Sequence, residues 1–142
     1  MEETTIISSG TQTIGNLKFA DILQHRTNLR LVGFLNPLFG SGTERIPINQ
    51  AEVTIGREPS NGREPSNNIV LNDSGISRHH ARISRQKNEF VLTDLDSRNG
   101  THVDGVPIVS CVLRGGDTVQ VGRHVFLFDS MLQYQDGQED TQ

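Results

Sequence analysis

The stretch SRHHARISRQKNEFVLTDLDSRNGT, residues 77–101, determines how the rest of the chain is interpreted. Two short polar clusters, at 77–80 and 94–101, enclose a run in which apolar and polar side chains alternate. Alternation with a period of two is typical of a half-buried strand, and QKNE at 86–89 predicts a hairpin turn between two strands. Each cluster combines an Arg with hydroxyl or amide side chains. Such a combination suits the binding of a phosphate together with a peptide backbone.

Further short strands are predicted on both sides of this stretch, at 29–35, 44–48, 52–55, 69–71, 102–103, 118–121 and 124–128. Turn signals separate them, among them FGSGT at 39–43 and Asp104-Gly105, and Asp-Gly is a strong hairpin signal. Short strands at intervals of roughly 8–12 residues with turn signals between them indicate an all-β sandwich or barrel. We therefore expect an all-β sandwich of short, mostly antiparallel strands.

The composition indicates one domain with tails. Hydrophobic residues make up only 33% of the 142 residues, so part of the length is not expected to belong to a core. Residues 1–28 show no sustained periodicity and are predicted to form a flexible N-terminal tail. The domain is predicted at 29–129, and residues 130–142 form an acidic C-terminal tail.

Charge and cysteine content exclude several classes of function. The net charge is −4 and no basic run stands out, which argues against a nucleic-acid-binding protein. No apolar run approaches the roughly 20 residues that a membrane-spanning helix needs. The single Cys111 excludes an internal disulfide and fits a reducing compartment. We expect a cytoplasmic protein, or a nuclear one if the source is eukaryotic, without cofactor, nucleic-acid or membrane partners.

A six-residue repeat interrupts the chain just before the polar clusters. GREPSN at 56–61 is followed at once by GREPSN at 62–67. Its Gly, Pro, Ser and Asn content predicts a surface loop. Doubling the length of a loop costs only about 0.6 kcal/mol, so the fold is expected to tolerate the repeat. The repeat also supplies two candidate arginines, Arg57 and Arg63, near the same site.

Three ordered motifs resemble those of the forkhead-associated (FHA) domain: Gly-Arg after a strand, then Ser-x-x-His, then Asp-x-x-Ser-x-Asn-Gly-Thr. The resemblance spans roughly residues 29–128 and includes GGD at 115–117 and VQVG at 119–122. It implies an FHA-like β-sandwich whose loops at one end bind phosphothreonine peptides. The matching residues are Gly56 and Arg57 (or Gly62 and Arg63), Ser77, His80, Asp94, Ser97, Asn99, Gly100 and Thr101.

The resemblance also implies a role for each residue of the motifs. Ser77 would bind phosphate through its hydroxyl, Arg78 would contact phosphate or peptide, and Arg98 would lie beside the phosphothreonine. The side-chain amide of Asn99 would bind the peptide main chain, presented by a tight turn that Gly100 permits. The remaining motif residues, His80, Asp94, Ser97 and Thr101, would have structural roles, with His80 and Asp94 bracing the loops.

The physical chemistry of a phosphate dianion agrees with this set of residues. The dianion needs positive charge and several donors, and each hydrogen bond to a charged group is worth about 1.5–3 kcal/mol. Three or four such bonds, less the cost of ordering, correspond to roughly micromolar affinity. Reversible signalling contacts operate in this range.

Two arginines compete for one position. Arg57 directly follows the predicted strand at 53–55, whereas Arg63 keeps a shorter spacing to Ser77, 14 residues instead of 20. We favour Arg57, because the end of the strand sets where the side chain stands. Arg63 would replace it if the strand pairing shifted.

Thr4 and Thr5 follow two acidic residues and are candidate phosphorylation sites. The EETT sequence at 2–5 resembles the N-terminal phosphorylation motif of small bacterial FHA regulators that inhibit themselves. That resemblance implies that the phosphorylated tail occupies the chain's own site; the alternative is a solvated terminus without this role. External partners would be phosphothreonine proteins such as a Ser/Thr kinase or its substrates.

Three other interpretations compete with a phosphopeptide-binding module: a hydrolase, a metal site and a phosphorylation-independent scaffold. Ser77 with His79 or His80 and Asp94 provides the residue types of a hydrolase triad, but the chain has no Gly-x-Ser-x-Gly elbow. We therefore expect no enzyme and no catalytic residue. His79 and His80 have no Cys, further His or acid at metal-ligand spacing, so no metal is expected. The remaining rival is an FHA-like scaffold that binds proteins independently of phosphorylation.

Overall fold

The computed structural model describes residues 13–14, 17–18, 29–40, 42–58 and 66–134. Its regular elements are all β-strands, and no helix in these ranges is long and apolar enough to cross a membrane. The chain divides into two compact units, Val32–Met131 and a second unit formed by Met1–Leu31 with Leu132–Gln142. The second unit contains a small antiparallel pair, β1 (Thr13–Ile14) with β2 (Leu17–Lys18).

Eleven further strands follow, and their order along the chain is β3 (Leu29–Phe39), β4 (Ile46–Ile48), β5 (Glu52–Gly56), β6 (Ile69–Val70), β7 (Ala81–Gln86), β8 (Glu89–Asp94), β9 (Thr101–Val103), β10 (Val106–Ile108), β11 (Ser110–Leu113), β12 (Thr118–Val121) and β13 (His124–Tyr134). They form a six-stranded sheet, in the order β10-β9-β12-β13-β3-β4, and a five-stranded sheet, in the order β11-β8-β7-β5-β6. Antiparallel pairs dominate, whereas β5 and β6 run parallel. The predicted all-β sandwich of mostly antiparallel strands is confirmed.

The core lies between the two sheets. In β7, β8, β12 and β13 the buried side chains alternate with more exposed ones, as expected from the two-residue period of a strand. Phe90 of one sheet and Phe128 of the other meet with ring centroids 5.4 Å apart and ring planes tilted by 59°. A Cβ at Gly33 would lie only 3.0–3.1 Å from these rings. The absence of a side chain at Gly33 therefore allows the aromatic pair to pack against β3.

Strand boundaries differ from the predicted ones at several strand ends, most of all at β13, which continues to Tyr134 instead of ending at residue 128. β3 continues to Phe39, and β4 begins at Ile46 instead of residue 44. β11 was not predicted from the sequence, because the run VPIVSCVL at 106–113 is almost uniformly apolar and shows no alternation. The predicted turn at Asp104-Gly105 joins β9 to β10, and both residues have positive φ, 51° and 81°.

Strand register gathers the motif loops at one end of the sandwich. Ile55 at the end of β5 pairs with Ala81 at the start of β7, which in turn pairs with Asp94 at the end of β8. In the other sheet, Thr101 pairs with Val121, and Val121 pairs with His124. The loops that follow β5, β8 and β12 and the loop that precedes β7 therefore emerge together. We call this the recognition end.

Candidate functional site

His80 connects the two polar loops from a fully buried position. Its Nδ1 accepts the backbone N–H of Ser77 (3.0 Å), and its Nε2 donates to the carbonyl of Gly100 (2.9 Å). This pairing requires the neutral tautomer with the proton on Nε2, because a backbone N–H only donates and a carbonyl only accepts. The His80 backbone is also paired, with Ile55 O and Leu95 N. One side chain thus sets the separation of the Ser77 loop from the Gly100 turn.

Asp94 organises the 94–101 loop from the end of β8. Its carboxylate accepts Ser97 Oγ at 2.6 Å, Thr101 Oγ1 at 2.7 Å and the Ser97 N–H at 3.1 Å, and Ser97 Oγ accepts the Gly100 N–H at 2.9 Å. Partial burial raises the pKa of Asp94, but the hydrogen bonds from Ser97 and Thr101 outweigh it and hold the pKa below its ordinary value. The ionised carboxylate therefore keeps the loop in one conformation.

Ser77, Arg98 and Asn99 come together where the two loops meet. The backbone N–H of Arg98 donates to Ser77 Oγ at 3.0 Å. Arg98 Nη2 donates to Ser74 O at 3.1 Å, and Asn99 Nδ2 donates to Gly75 O at 3.0 Å. Arg98 and Asn99 are exposed. A hydroxyl can donate its own proton while its oxygen accepts a bond, so Ser77 Oγ can still donate to an external acceptor.

Arg57 is held against the loop that carries Ser77. Its backbone N–H donates to Ser77 O at 3.1 Å, and its Nε donates to Ile76 O at 3.0 Å. The preceding Gly56 permits this approach, since a Cβ there would lie 2.1 Å from the carbonyl oxygen of Arg78. The side chain of Arg78 itself is exposed. Arg63, Thr4 and Thr5 lie outside the described residues.

Asn67, the last residue of the second GREPSN copy, was missed by the sequence reasoning. Its Nδ2 donates to both Arg57 O (3.1 Å) and Arg78 O (2.9 Å), so it joins the end of β5 to the Ser77 loop. Asn68 and Asn72 act nearby, accepting the N–H groups of Thr54 and Glu58. The available signal was the asparagine that ends each copy, since Asn side chains commonly bond to loop backbone.

A shallow open cavity of about 580 Å³ lies beside Asn99 at the recognition end. One wall contains Asp73, whose Oδ2 lies 2.6 Å from His124 Nε2. The hydrogen bond with His124 lowers the pKa of Asp73 and ties the 73–76 segment to the start of β13. The lining residues are Asp73, Ser74, Gly75, Asn99, Gly100, His102, Gln120, Gly122 and Arg123. Among the described residues, no three His, Cys, Asp or Glu side chains are grouped for a metal ion.

Comparison with known proteins now places these loops in a family. Residues 53–122 match the family model of the FHA domain. The chain is 43% identical over 98 residues to the oxoglutarate dehydrogenase inhibitor of Corynebacterium diphtheriae, covering 66% of this chain and 68% of that protein. The chain belongs to the FHA-domain family. The glycogen accumulation regulator GarA of Mycobacterium tuberculosis is 37% identical to this FHA protein over 101 residues.

The matched region covers 62% of this chain and 62% of GarA, less than two thirds of that relative. Among solved structures, an FHA domain from a structural and functional analysis of phosphothreonine-dependent FHA domain interactions superposes with a TM-score of 0.59 and 28% identity. The match covers 70% of this chain and 96% of the solved one. The FHA sandwich is therefore shared with that domain.

Proposed function

We propose that this FHA protein binds phosphothreonine peptides and mediates phosphorylation-dependent protein–protein interaction. The observation that carries the proposal is the Ser77–Arg98 hydrogen bond at the recognition end. The bond brings the half-buried Ser77 hydroxyl, which can still donate its proton, beside the exposed residues Arg98 and Asn99. A phosphate accepts from hydroxyl and Arg donors, and an amide side chain pairs with a peptide main chain.

The proposal assigns no catalytic step to the protein. The hydrogen-bond partner of Ser77 Oγ is a backbone N–H, and His80 uses both ring nitrogens to hold the two loops. A general base must be within reach of the nucleophile's proton, and His80 Nδ1 is committed to the Ser77 N–H. FHA relatives named as an inhibitor and a regulator also fit a binding module.

Three matched peptides test the proposal: one with phosphothreonine, one with phosphoserine and one unmodified. Fluorescence anisotropy should give roughly micromolar binding of the phosphothreonine peptide and at least about tenfold weaker binding of the unmodified one, since a hydrogen bond to a charged group contributes about 1.5–3 kcal/mol. Equal binding of all three would instead indicate the rival function, a scaffold that ignores phosphorylation.

We further propose Arg57, not Arg63, as the arginine that completes the site. The hydrogen bonds of Arg57 to the 76–77 backbone support this assignment. Arg57→Ala should weaken phosphopeptide binding by about tenfold or more, as expected for one lost charged hydrogen bond, whereas Arg63→Ala should change it little. The reverse ranking would assign the role to Arg63.

Self-inhibition by the N-terminal tail is a finer part of the proposal. Thr5 lies 24 residues before Leu29, and a flexible chain of that length has an end-to-end distance of about 25–30 Å. A tethered phosphothreonine would then compete at an effective concentration of roughly millimolar. Chain phosphorylated at Thr4 or Thr5 should fail to bind an external phosphopeptide, and a Thr4→Ala/Thr5→Ala variant treated with the same kinase should bind normally. Simultaneous occupancy by both would contradict self-inhibition.

The partner class follows from the relatives and remains part of the proposal. A bacterial Ser/Thr kinase, its substrates, or a metabolic enzyme of the kind that an oxoglutarate dehydrogenase inhibitor acts on would be the external ligand. The bacterial relatives support a cytoplasmic location. Affinity capture with the unphosphorylated chain, with and without phosphatase treatment of the lysate, separates phosphorylation-dependent partners from the others.

A further inference from the structure

The edges of the two sheets differ in how they are protected. An edge strand presents unpaired N–H and C=O groups that can pair with another chain. In the six-stranded sheet, β10 and β4 each carry a central proline, Pro107 and Pro47, which cannot donate to a neighbouring strand. In the five-stranded sheet, β6 is only two residues long. Of the edges in these two described sheets, β11 alone is longer than two residues with neither proline nor charge.

The backbone N–H and C=O groups of alternate β11 residues point away from the sheet. Val109 O accepts the N–H of Asp94 at 2.9 Å, which continues the pairing of β11 with β8. Hydrogen-bonded positions alternate along an antiparallel ladder. The backbone N–H and C=O groups of Val109, Cys111 and Leu113 therefore point toward β8. Ser110 and Val112 therefore direct their backbone groups away from the sheet. Cys111 Sγ makes a weak contact with the outward carbonyl of Val112 at 3.4 Å. A backbone N–H from an added strand would take the place of this thiol as the donor.

Exposed valines flank this edge. Val109, directly before β11, is 81% exposed, and Val112 within β11 is 38% exposed. They belong to the uncharged run VPIVSCVL at 106–113. Apolar surface of this kind gains from removal from water, and no charge in the run opposes an approaching strand.

We propose that β11 is a self-association edge at which a second copy of this chain pairs antiparallel about a two-fold axis. The pairing would join the two five-stranded sheets into one continuous sheet. A second copy fits because the edge is self-complementary: it offers the same uncharged strand, with donors and acceptors at matching positions. Isologous two-fold contacts are also the commonest kind of homo-oligomer interface.

The outward groups determine the register of the pair. In the expected register, Ser110 of each copy lies opposite Val112 of the other copy. The outward N–H and C=O groups of these residues then form roughly four hydrogen bonds. Cys111 then faces its own copy at a non-hydrogen-bonded position, with Cα atoms about 4.5 Å apart. A shift that placed Ser110 opposite Arg114 would require the Arg114 N–H, which already donates to Asp117 Oδ2 at 2.8 Å.

The dimer leaves the recognition ends accessible. Ser110 pairs with Thr93, next to Asp94 at the recognition end, whereas Leu113 pairs with Phe90 further away. In an antiparallel pair the two recognition ends therefore lie at opposite ends of the joined sheet. The assembly presents two separate sites, so each site should bind a phosphopeptide with unchanged affinity.

Analytical ultracentrifugation of the full chain tests the association. The wild type should show a dimer whose population rises with concentration, and Val112→Lys should weaken dimerisation by about tenfold or more, the equivalent of about 1.4 kcal/mol. Val70→Lys is the matched control, because Val70 is 37% exposed on the opposite edge of the same sheet; it should dimerise normally. Ser110→Pro, which removes an outward N–H that β8 does not use, should act like Val112→Lys if the lysine variant is misfolded.

Crosslinking tests the register. With diamide as oxidant, the two Cys111 thiols lose two protons and two electrons to form a disulfide, since a Cα separation of about 4.5 Å is within the disulfide range. We expect a reducible dimer from the wild type and none from Cys111→Ser or Cys111→Ser/Val70→Cys. A monomer at all concentrations, or a dimer that Val112→Lys leaves intact, overturns the proposal. A Val112-dependent dimer without the disulfide overturns the two-fold register.

Discussion

Ser77 and Arg98 lie 21 residues apart in the chain, and the backbone N–H of Arg98 donates to Ser77 Oγ at 3.0 Å. The bond joins the loop before β7 to the loop after β8. The Ser77 oxygen therefore accepts a bond from the protein, and the hydroxyl can in addition donate its proton to a ligand. The recognition end is therefore arranged before a peptide binds, which reduces the ordering cost of binding.

Removing this hydroxyl should weaken binding more than it weakens folding. Ser77→Ala loses a donor to phosphate, worth about 1.5–3 kcal/mol or roughly 10- to 150-fold in affinity. Calorimetric titration with a phosphothreonine peptide measures the loss, and Ser84→Ala on β7 is the control. Wild-type affinity in Ser77→Ala would contradict the proposed phosphate contact.

The buried His80 should contribute strongly to stability. His80→Ala leaves the Ser77 N–H and the Gly100 carbonyl without their partner and opens a cavity, so the free energy of unfolding should fall by about 3 kcal/mol. His79→Ala changes an exposed neighbour and should cost less than about 1 kcal/mol. Urea denaturation compares the two; similar losses would mean that the buried ring does not hold the loops together.

Position 56 requires glycine because there is no room for a Cβ atom. In Gly56→Ala the new Cβ would lie 2.1 Å from the Arg78 carbonyl oxygen, so backbone must move and the free energy of unfolding should fall by about 3 kcal/mol. Phosphopeptide affinity should fall as well, because Arg57 follows directly. Gly115→Ala is the matched control, since its nearest contact would be 3.6 Å from Asp129 Oδ1. Equal thermal midpoints for the two variants would refute the argument.

Asp94 should make stability depend on acid pH. Its pKa is lowered in the folded protein, so its contribution is present above the unfolded value of about 3.9 and is lost as the pH falls through the lower folded value. Asp94→Asn should therefore be less stable than wild type at pH 7, by about 1–2 kcal/mol, and the difference should shrink as the pH falls below the unfolded value of about 3.9.

Denaturation of both proteins across that pH range measures this dependence. Asp96→Asn, which replaces an exposed carboxylate in the same loop at a position with φ of 57° that Asn tolerates, is the control. A difference between wild type and Asp94→Asn that stays constant with pH would show that the carboxylate charge is not responsible.

Deleting residues 62–67 should preserve the site. The deletion leaves a single GREPSN, so that Arg57 remains after β5 and Asn61 precedes Asn68, as Asn67 does now. Halving the loop should stabilise the fold by about 0.6 kcal/mol, and phosphothreonine affinity should stay within about threefold, below the loss of one charged hydrogen bond. Loss of binding would show that the longer loop is itself part of the site.

Local signals explain what could be predicted from the sequence. The alternation in 81–94 and the Asp104-Gly105 turn act over a few neighbouring residues, and they predicted β7, β8 and the β9–β10 hairpin. The motif residues likewise predicted that the Ser77 and Asn99 loops belong together. β11 was missed because a uniformly apolar run shows no period, and Asn67 was missed because its two acceptors, Arg57 O and Arg78 O, belong to segments distant in sequence.

By itself, the sequence determined the strand pattern, the turns and the order of the three motifs, since these depend on side-chain type and short-range backbone geometry. Only the tertiary structure decided that His80 connects Ser77 to Gly100 and that Arg57 lies against the Ile76 carbonyl. It also decided that β11 ends its sheet without the proline that the other sheet's edges carry. Those relationships depend on which backbone groups meet across strands, and strand register is set by the packing of the whole core.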